Sequence, residues 1–207
     1  MVDKDVVRRG YDDVAPVYAA ERATDGRSTA ILERFLESLP EAASVLDAGC
    51  GQGTPVLRNA SAVGLDFSGE QLALAAANAP GAALVRGDLA APPFAADSFD
   101  AVVAYWSLIH VPREDRQATI DEFARLLCSG GRALLCVGKD DWRGTNPDWL
   151  ESGAEMQWDL AGAAATRDHL RNAGFAVVDE WTIVDPLEED SDDAEPAWVI
   201  IDARLDR

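Results

Sequence analysis

Hydrophobic and polar positions recur along this chain in two patterns. Short runs rich in Val, Leu and Ala alternate with longer segments in which apolar residues return every three or four positions. The short runs are typical of strands buried on both faces, and the longer segments of amphipathic helices that connect parallel strands. Together they predict an α/β fold. The predicted strands cover residues 44–47, 62–67, 82–86, 100–106, 132–137, 176–184 and 197–204.

Predicted helices lie between these strands. Residues 28–39 and 117–127 each place their apolar side chains along one stripe, so both helices are expected to pack on the sheet. Ser68 followed by Gln71 is a capping-box pattern that predicts the start of a further helix. A short last helix is predicted at 166–173. No helix is predicted between the last two strands, which favours an antiparallel pair at one sheet edge.

Length and composition favour a single domain over residues 1–207. The chain has 207 residues, of which 48% are apolar, enough for one sizeable core. We interpret 1–27 as an N-terminal helical segment and 28–207 as the core, with an insertion at 139–165. No run approaches the roughly 18 apolar residues of a membrane span, and the first residues are charged where a signal peptide is apolar. We therefore expect a cytoplasmic protein, monomeric or homodimeric, with no membrane partner.

Neither the cysteines nor the acidic clusters predict a metal site. Cys50, Cys128 and Cys136 are odd in number and lack a CxxC spacing, so we interpret them as small core residues. An acidic run lies between the last two strands and comprises Glu188, Glu189, Asp190, Asp192, Asp193 and Glu195. Adjacent carboxylates in a loop are easily hydrated, so a solvated loop is favoured over a metal site.

The charge of the chain is strongly one-sided. Acidic residues number 37 against 18 basic ones, which gives a net charge of -19, and only Lys4 and Lys139 are lysines. Such a field repels phosphate backbones, so we expect no nucleic-acid partner. An acidic, lysine-poor surface is also what adaptation to high internal salt produces, because salt screens the self-repulsion. The composition therefore predicts a salt-loving source.

A glycine-rich turn, VLDAGCGQG, follows the first predicted strand. Gly49, Gly51 and Gly53 let the backbone turn sharply and approach a ligand without a Cβ in the way. The helix expected from Thr54 onwards presents free N–H groups and a partial positive charge there. Thr54 also stands where the last glycine of a pyrophosphate-binding G-x-G-x-x-G would be, so a nucleoside ligand without a phosphate fits better.

Three carboxylates end successive predicted strands. Asp66 follows Asp47 by 19 residues, where nucleotide-binding α/β folds place the acid that binds a ribose diol, and Asp88 ends the next strand. Taken singly, each aspartate fits a helix cap or a turn equally well. Taken together, they favour a ligand site at the carboxyl edge of the sheet, because parallel strands bring these ends together.

Five spaced blocks resemble the class I S-adenosylmethionine-dependent methyltransferases. They are VLDAGCGQG, VGLDFSGEQL, RGDL, FDAVVAYWSLIHVP and LLCSGGRALLCV, in the order the family has them. The resemblance implies a Rossmann-like seven-stranded sheet, mostly parallel with an antiparallel last strand and helices on both faces, and S-adenosylmethionine as cofactor. It implies cofactor contacts by Asp47 (ammonium group), Ala48, Gly49, Gly51 and Gly53 (methionine part), Asp66 (ribose), Asp88 (adenine amine), Phe67 and Leu89 (adenine ring), and Tyr105 and Trp106 (the acceptor side).

Methyl transfer from a sulfonium is an in-line displacement that needs a base only if the acceptor arrives protonated. His110, just after the fourth predicted strand, is a candidate for that catalytic base; the alternative is that it orders the turn before Pro112. Tyr11 and Tyr18 belong to a YDxxAxxY segment which, in related enzymes, folds over the cofactor; simple helix packing is the alternative.

The insertion at 139–165 is expected to be irregular, since Gly144, Asn146, Pro147 and Gly153 interrupt it. Its three tryptophans, Trp142, Trp149 and Trp158, suit either a substrate lid or ordinary core anchors. The sequence thus predicts an S-adenosylmethionine-dependent methyltransferase with a small-molecule acceptor. An NAD(P)-dependent oxidoreductase and a non-catalytic cofactor-binding module are the alternatives.

Overall fold

The computed structural model describes residues 2–21, 26–60, 62–185 and 195–207. Helices in these ranges are α1 (Lys4–Glu21), α2 (Arg27–Glu37), α3 (Val56–Asn59), α4 (Gly69–Asn78), α5 (Arg116–Leu126) and α6 (Gly162–Asn172), with a 3₁₀ turn at Leu108–His110. Strands are β1 (Val45–Ala48), β2 (Ala62–Asp66), β3 (Ala83–Arg86), β4 (Phe99–Ala104), β5 (Leu127–Gly138), β6 (Asp141–Trp149), β7 (Ala154–Ala161), β8 (Phe175–Ile183) and β9 (Trp198–Leu205). Most of the predicted acidic run, Glu188 to Asp193, lies outside the described residues.

Seven strands form one sheet in the order β3-β2-β1-β4-β5-β9-β8. Strands β1 to β5 pair in parallel, and β9 runs antiparallel to both of its neighbours, β5 and β8. This confirms the predicted sheet with a reversed last strand. The strand order changes direction between β1 and β4, and at such a point the connections leave on opposite sides and open a crevice at the carboxyl edge.

Two apolar clusters sandwich the sheet because alternate residues of each strand face opposite sides. In β1, Leu46 belongs to the cluster that includes Ile120 and Phe123 of α5, whereas Val45 belongs to the cluster that includes Ile31 of α2. The predicted helices on both faces are therefore confirmed. Cys50 and Cys136 are buried as expected, while Cys128 is only half-buried.

The segment expected to be irregular, 139–165, instead forms a hairpin of β6 and β7 that is separate from the main sheet. Pro147 lies where the register shifts between Asn146 and Trp149, so it interrupts no ladder hydrogen bond. The prediction of a loop was wrong because glycine and proline mask the pairing, which depends on contacts distant in sequence.

Helix α1 packs against strand β7 and helix α4. Val2 and Val7 form a small buried cluster with Met156 of β7, and Tyr11 packs against that cluster. The N-terminal segment is therefore helical as predicted and lies against the hairpin, which brings its tyrosines to the carboxyl edge of the sheet. Within the described ranges, no helix has both the length and the apolar character that crossing a bilayer requires.

Candidate active site

A cavity with about 650 Å³ of empty space lies at the carboxyl edge of β1, β2, β3 and β4. Predicted site residues that line it are Tyr11, Tyr18, Gly49, Gly51, Asp66, Phe67, Asp88, Leu89, Tyr105, Trp106 and His110. They come from α1, the glycine turn, the ends of the strands and the 3₁₀ turn. The parallel sheet thus gathers groups that are far apart in the chain at the edge where such sheets bind ligands.

Three predicted residues do not line this cavity. Asp47 is buried at the end of β1 and borders an adjoining space of about 270 Å³. The carbonyl of Ala48 accepts a hydrogen bond from the Ser107 hydroxyl. At Gly53 a Cβ would lie 3.3 Å from the Cβ of Ala75 on α4. Ala48 and Gly53 therefore shape the wall behind the cavity, and the assignment of Asp47 to an ammonium group stays a prediction.

The glycine turn is held closely against its neighbours. Gly49 has φ +85, and a Cβ there would lie 2.2 Å from the Cβ of Ser107, so only glycine fits. The backbone N–H groups of Gly49 and Cys50 donate to the Leu65 carbonyl at 2.7 and 3.0 Å. These amides therefore join β1 to β2. Helix α3 has only four residues, so the expected contribution of a helix N-terminus to the site is wrong.

Asp66 is the carboxylate at the centre of the cavity wall. One oxygen accepts from the Gly51 backbone N–H at 2.8 Å and the other from the Ser68 N–H at 2.9 Å. Burial raises the pKa of Asp66 to about 6, although these amides act in the opposite direction. Each carboxylate oxygen has a second acceptor site, so Asp66 can still bind a hydroxyl.

Helix α1 is tied across the cavity by polar contacts. Lys4 Nζ lies 3.0 Å from Asp88 Oδ2 and 3.3 Å from Asp115 Oδ2. Burial lowers the pKa of Lys4, but the two carboxylates outweigh it and the pKa is raised. Further along α1, Asp12 accepts from the Ser68 hydroxyl at 2.6 Å. The acid assigned to the adenine amine, Asp88, thus also binds the N-terminal helix.

His110 is buried and its two ring nitrogens have different partners. Nδ1 lies 2.8 Å from the Gln157 carbonyl, which can only accept, so Nδ1 carries the proton. Nε2, 2.9 Å from Tyr11 Oη, is then bare and accepts from the tyrosine hydroxyl. Burial lowers the pKa of His110 to about 4, against the effect of the Gln157 carbonyl, so the imidazole is neutral at pH 7.

Aromatic rings of α1 and the hairpin pack together, and of these Tyr11 and Tyr18 also line the cavity. Tyr11 lies 5.6 Å from Tyr18 and 5.7 Å from Trp149, and Trp149 lies 5.8 Å from Trp158, as ring-centroid distances. Trp142, by contrast, is 51% exposed on the outer side of the hairpin. The three tryptophans therefore differ: two pack beneath α1 and the third faces solvent.

An ion-pair network holds the hairpin to the segment that carries His110. Asp159 of β7 is fully buried and binds Arg113 at 2.7 Å and Arg143 at 2.8 Å. Arg113 also binds the exposed Asp141 at 2.9 Å. Because Arg113 follows the 3₁₀ turn by three residues, this network fixes the hairpin beside His110.

Sequence reasoning missed Lys4, Gln71 and Ser107, which also line the cavity. Lys4 was counted only as one of two lysines, and Ser107 appeared only within the block FDAVVAYWSLIHVP, with no role of its own. Gln71 was interpreted as half of a capping box. Its position in the first turn of α4, five residues after Asp66, is a signal that could have found it, because a side chain there points back towards the strand end.

Comparisons with known proteins agree with this geometry. A family described as a methyltransferase domain matches residues 45–131. A putative methyltransferase of Encephalitozoon cuniculi is 32% identical over 85% of this chain and 90% of its own length. The chain belongs to the class I S-adenosylmethionine-dependent methyltransferases. It is therefore an enzyme of methyl transfer, and the oxidoreductase and non-catalytic alternatives are wrong.

Two further relatives extend the comparison. A Burkholderia thailandensis N1-methyltransferase, solved with S-adenosylhomocysteine and its substrate bound, has a TM-score of 0.70 and 19% identity, covering 99% of this chain and 89% of its own. A tRNA (carboxymethyluridine(34)-5-O)-methyltransferase of Arabidopsis thaliana is 28% identical over 84% of this methyltransferase. The match spans only 44% of the plant protein.

S-adenosylmethionine is the cofactor of this methyltransferase. The cavity fits it: the closely approached glycine turn, the buried carboxylate of Asp66 and an acceptor atom of Gln71 that has no partner among the described residues face the same space. A phosphate-free nucleoside needs hydrogen-bond acceptors for its hydroxyls, and the cavity supplies them.

The expectation of a small-molecule acceptor with nucleic acid excluded is contradicted. The Arabidopsis relative is named a tRNA methyltransferase, and relatives from Xenopus tropicalis and Schizosaccharomyces pombe carry the same enzyme name. The physical error lies in treating the net charge of -19 as an unscreened field. At about 1 M salt the screening length falls to about 3 Å, and repulsion then acts only at contact.

Proposed function

We propose that this methyltransferase transfers a methyl group to an oxygen atom of a modified uridine in tRNA. The observation that carries the proposal is the hydrogen bond between Tyr11 and His110 inside the cofactor cavity. It directs the tyrosine proton to Nε2, so any further hydrogen bond at Tyr11 Oη is one that the oxygen accepts. A hydroxyl group on the methyl-accepting substrate can donate to such an oxygen and would be oriented by it.

Held at the glycine turn and Asp66, S-adenosylmethionine would supply an activated methyl group, which the acceptor oxygen would take while the electron pair of the carbon–sulfur bond stays on sulfur. Tyr11 accepts the proton of an acceptor hydroxyl and passes its own to His110 Nε2. The low pKa of His110 favours rapid release of that proton to water. An acceptor that is already ionised, such as a carboxylate, needs only to be oriented.

The hairpin supports an RNA acceptor. Strand β6 is exposed along almost its whole length and carries the exposed indole of Trp142. Stacking of bases on aromatic side chains is one of the two main contributions to the binding of single-stranded nucleotides, the other being a positively charged groove along the backbone, and Trp142 can supply the stacking. The names of the tRNA methyltransferase relatives support the same acceptor class.

The first test measures methyl incorporation into tRNA bearing 5-hydroxyuridine, whose hydroxyl can donate to Tyr11 Oη, and into tRNA bearing 5-carboxymethyluridine, whose carboxylate cannot, from about 0.1 M to about 3 M salt. We expect incorporation at high salt and a decline at low salt, because the acidic protein repels RNA when screening is weak. Trp142→Ala is expected to raise KM for tRNA at least about fivefold with S-adenosylhomocysteine affinity unchanged, and Trp142→Phe to retain most of the affinity. Methylation of hydroxylated metabolites with no incorporation into RNA at any salt would overturn the proposal.

The second test concerns the proton path. Tyr11→Phe and His110→Ala are each expected to lower kcat about 100-fold for a hydroxyl acceptor. Wild-type kcat should stay flat from about pH 6 to 8, since His110 is neutral throughout that range. Unchanged kcat and an unchanged pH profile in both variants would remove the pair from the mechanism.

A further inference from the structure

Gln71 has a buried polar atom without a partner. Its side chain is 1% exposed and lines the cofactor cavity, and among the described residues its Oε1 has no hydrogen-bond partner. That oxygen lies beside the glycine turn, 3.6 Å from where a Cβ of Gly51 would stand. A buried acceptor left unsatisfied costs about 1–3 kcal/mol, so its retention in a cavity wall points to a ligand that satisfies it.

The orientation of the Gln71 amide is fixed by its other end. Nε2 donates to the backbone carbonyl of Tyr11 on α1 at 3.4 Å, and a carbonyl accepts only from the NH₂ group. Oε1 must therefore point the other way, towards the glycine turn. The amide thus bridges the N-terminal helix and the cavity wall.

The capping box predicted for α4 forms only one of its two hydrogen bonds. The Ser68 hydroxyl accepts from the Gln71 backbone N–H at 3.1 Å, which is one of the two expected bonds. The reciprocal bond, from the Ser68 N–H to the glutamine side chain, is absent because that N–H donates to Asp66. Asp66 has therefore displaced the Gln71 side chain from its usual capping role and left it available to the cavity.

We infer that Gln71 shares with Asp66 the recognition of the cofactor ribose, Gln71 Oε1 accepting one hydroxyl of the diol and Asp66 the other. Each Asp66 oxygen already accepts a hydrogen bond from a backbone N–H, that of Gly51 or that of Ser68. With a second acceptor nearby, Asp66 needs to bind only one of the two ribose hydroxyls. Through its Nε2 the same amide ties the bound cofactor to α1. The inference rests on S-adenosylmethionine as cofactor and not on the identity of the methyl acceptor.

The test measures binding of S-adenosylhomocysteine and of its 2′-deoxy and 3′-deoxy analogues by calorimetry. Gln71→Met keeps the side-chain length and removes both polar atoms. We expect about tenfold weaker binding of S-adenosylhomocysteine, and no difference from wild type for the one analogue that lacks the hydroxyl bound by Gln71. The melting temperature of the cofactor-free variant should change little, because the loss of the unsatisfied Oε1 offsets the loss of the 3.4 Å hydrogen bond from Nε2 to the Tyr11 carbonyl.

Gln71→Glu separates the two functions of the amide. It keeps an acceptor for the ribose but loses the donor to the Tyr11 carbonyl. We expect it to discriminate between S-adenosylhomocysteine and the analogues as wild type does, while ligand binding protects the α1 amides from hydrogen exchange less strongly. Gln117→Met on α5, outside the cavity, serves as the matched control and should change neither measurement.

Wild-type affinity in Gln71→Met would overturn the inference, as would an equal loss for all three ligands. Because no methyl acceptor takes part, these outcomes are independent of whether the enzyme methylates tRNA. If Gln71→Met does not fold, the comparison of ligands in Gln71→Glu still decides: loss of discrimination between hydroxyl and deoxy ligands in a folded Gln71→Glu also refutes the shared recognition.

Discussion

Replacement of Asp159 by asparagine tests the ion-pair network that holds the hairpin beside His110. The carboxylate is fully buried between Arg113 and Arg143, whose side chains are 35% and 47% exposed. Asparagine keeps the volume but removes the charge. Breaking a buried ion pair costs about 3–5 kcal/mol, and the partly exposed guanidiniums regain water, so we expect the lower end, about 3 kcal/mol.

Urea unfolding at pH 7 measures this loss. With a denaturant slope of about 3 kcal/mol/M for a chain of this size, Asp159→Asn should unfold at about 1 M less urea than wild type. Asp141→Asn is the matched control, because Asp141 binds the same Arg113 from an exposed position, and exposed ion pairs add little stability. Equal midpoint shifts for the two variants would refute the reasoning.

The dependence on pH gives a second check of the same network. Burial raises the pKa of Asp159, but hydrogen bonds from Arg113 and Arg143 outweigh it, so the pKa lies below its usual range. The stabilisation is therefore complete above the unfolded pKa of about 3.9 and is lost as the pH falls through the folded value. The stability difference between wild type and Asp159→Asn should persist at pH 5 and disappear only in strong acid. A difference that vanishes by pH 5 would count against an ionised, paired Asp159.

Two further predictions follow from charge. The affinity for S-adenosylhomocysteine should fall as the pH drops below about 6, by up to about tenfold per pH unit, because the Asp66 carboxylate of the free enzyme then takes up a proton. Calorimetry between pH 5 and 8 measures this affinity. A pH profile as flat as that of Asp66→Asn would contradict the role of Asp66. The free energy of unfolding should rise from low to molar salt, because screening relieves the self-repulsion of a net charge of -19. Refolding at both salt concentrations tests this prediction. Equal stability at the two concentrations would argue against a salt-adapted surface.

The sheet and much of the cavity could be predicted because local sequence determines them. Asp66 had to lie at the end of a strand, and Gly49 had to sit in a turn that no side chain fits, so their positions followed from spacing alone. The parallel topology then brought both to one edge. The turn itself required no knowledge of contacts distant in sequence, although the side chain that crowds Gly49, Ser107, is visible only in the structure.

What sequence reasoning missed depends on tertiary placement. Lys4 reaches Asp88 only because α1 lies across the cavity, and no local pattern specifies that position. Gln71 was assigned to a cap because the competing acceptor for the Ser68 N–H, the carboxylate of Asp66, is visible only in three dimensions. The β6–β7 hairpin was missed for the same reason, since its strands are interrupted by glycine and proline and are supported by α1.

Tyr11 and His110 belong to elements that are 99 positions apart in the chain. Tyr11 is on α1, which lines the cavity, whereas His110 is on the 3₁₀ turn beside the sheet. Any movement of α1 that opens the cavity for exchange of the cofactor therefore breaks the Tyr11–His110 hydrogen bond. The proposed proton path therefore depends on α1 lying in place at the cavity, and it exists only in the arrangement in which Tyr11 reaches His110.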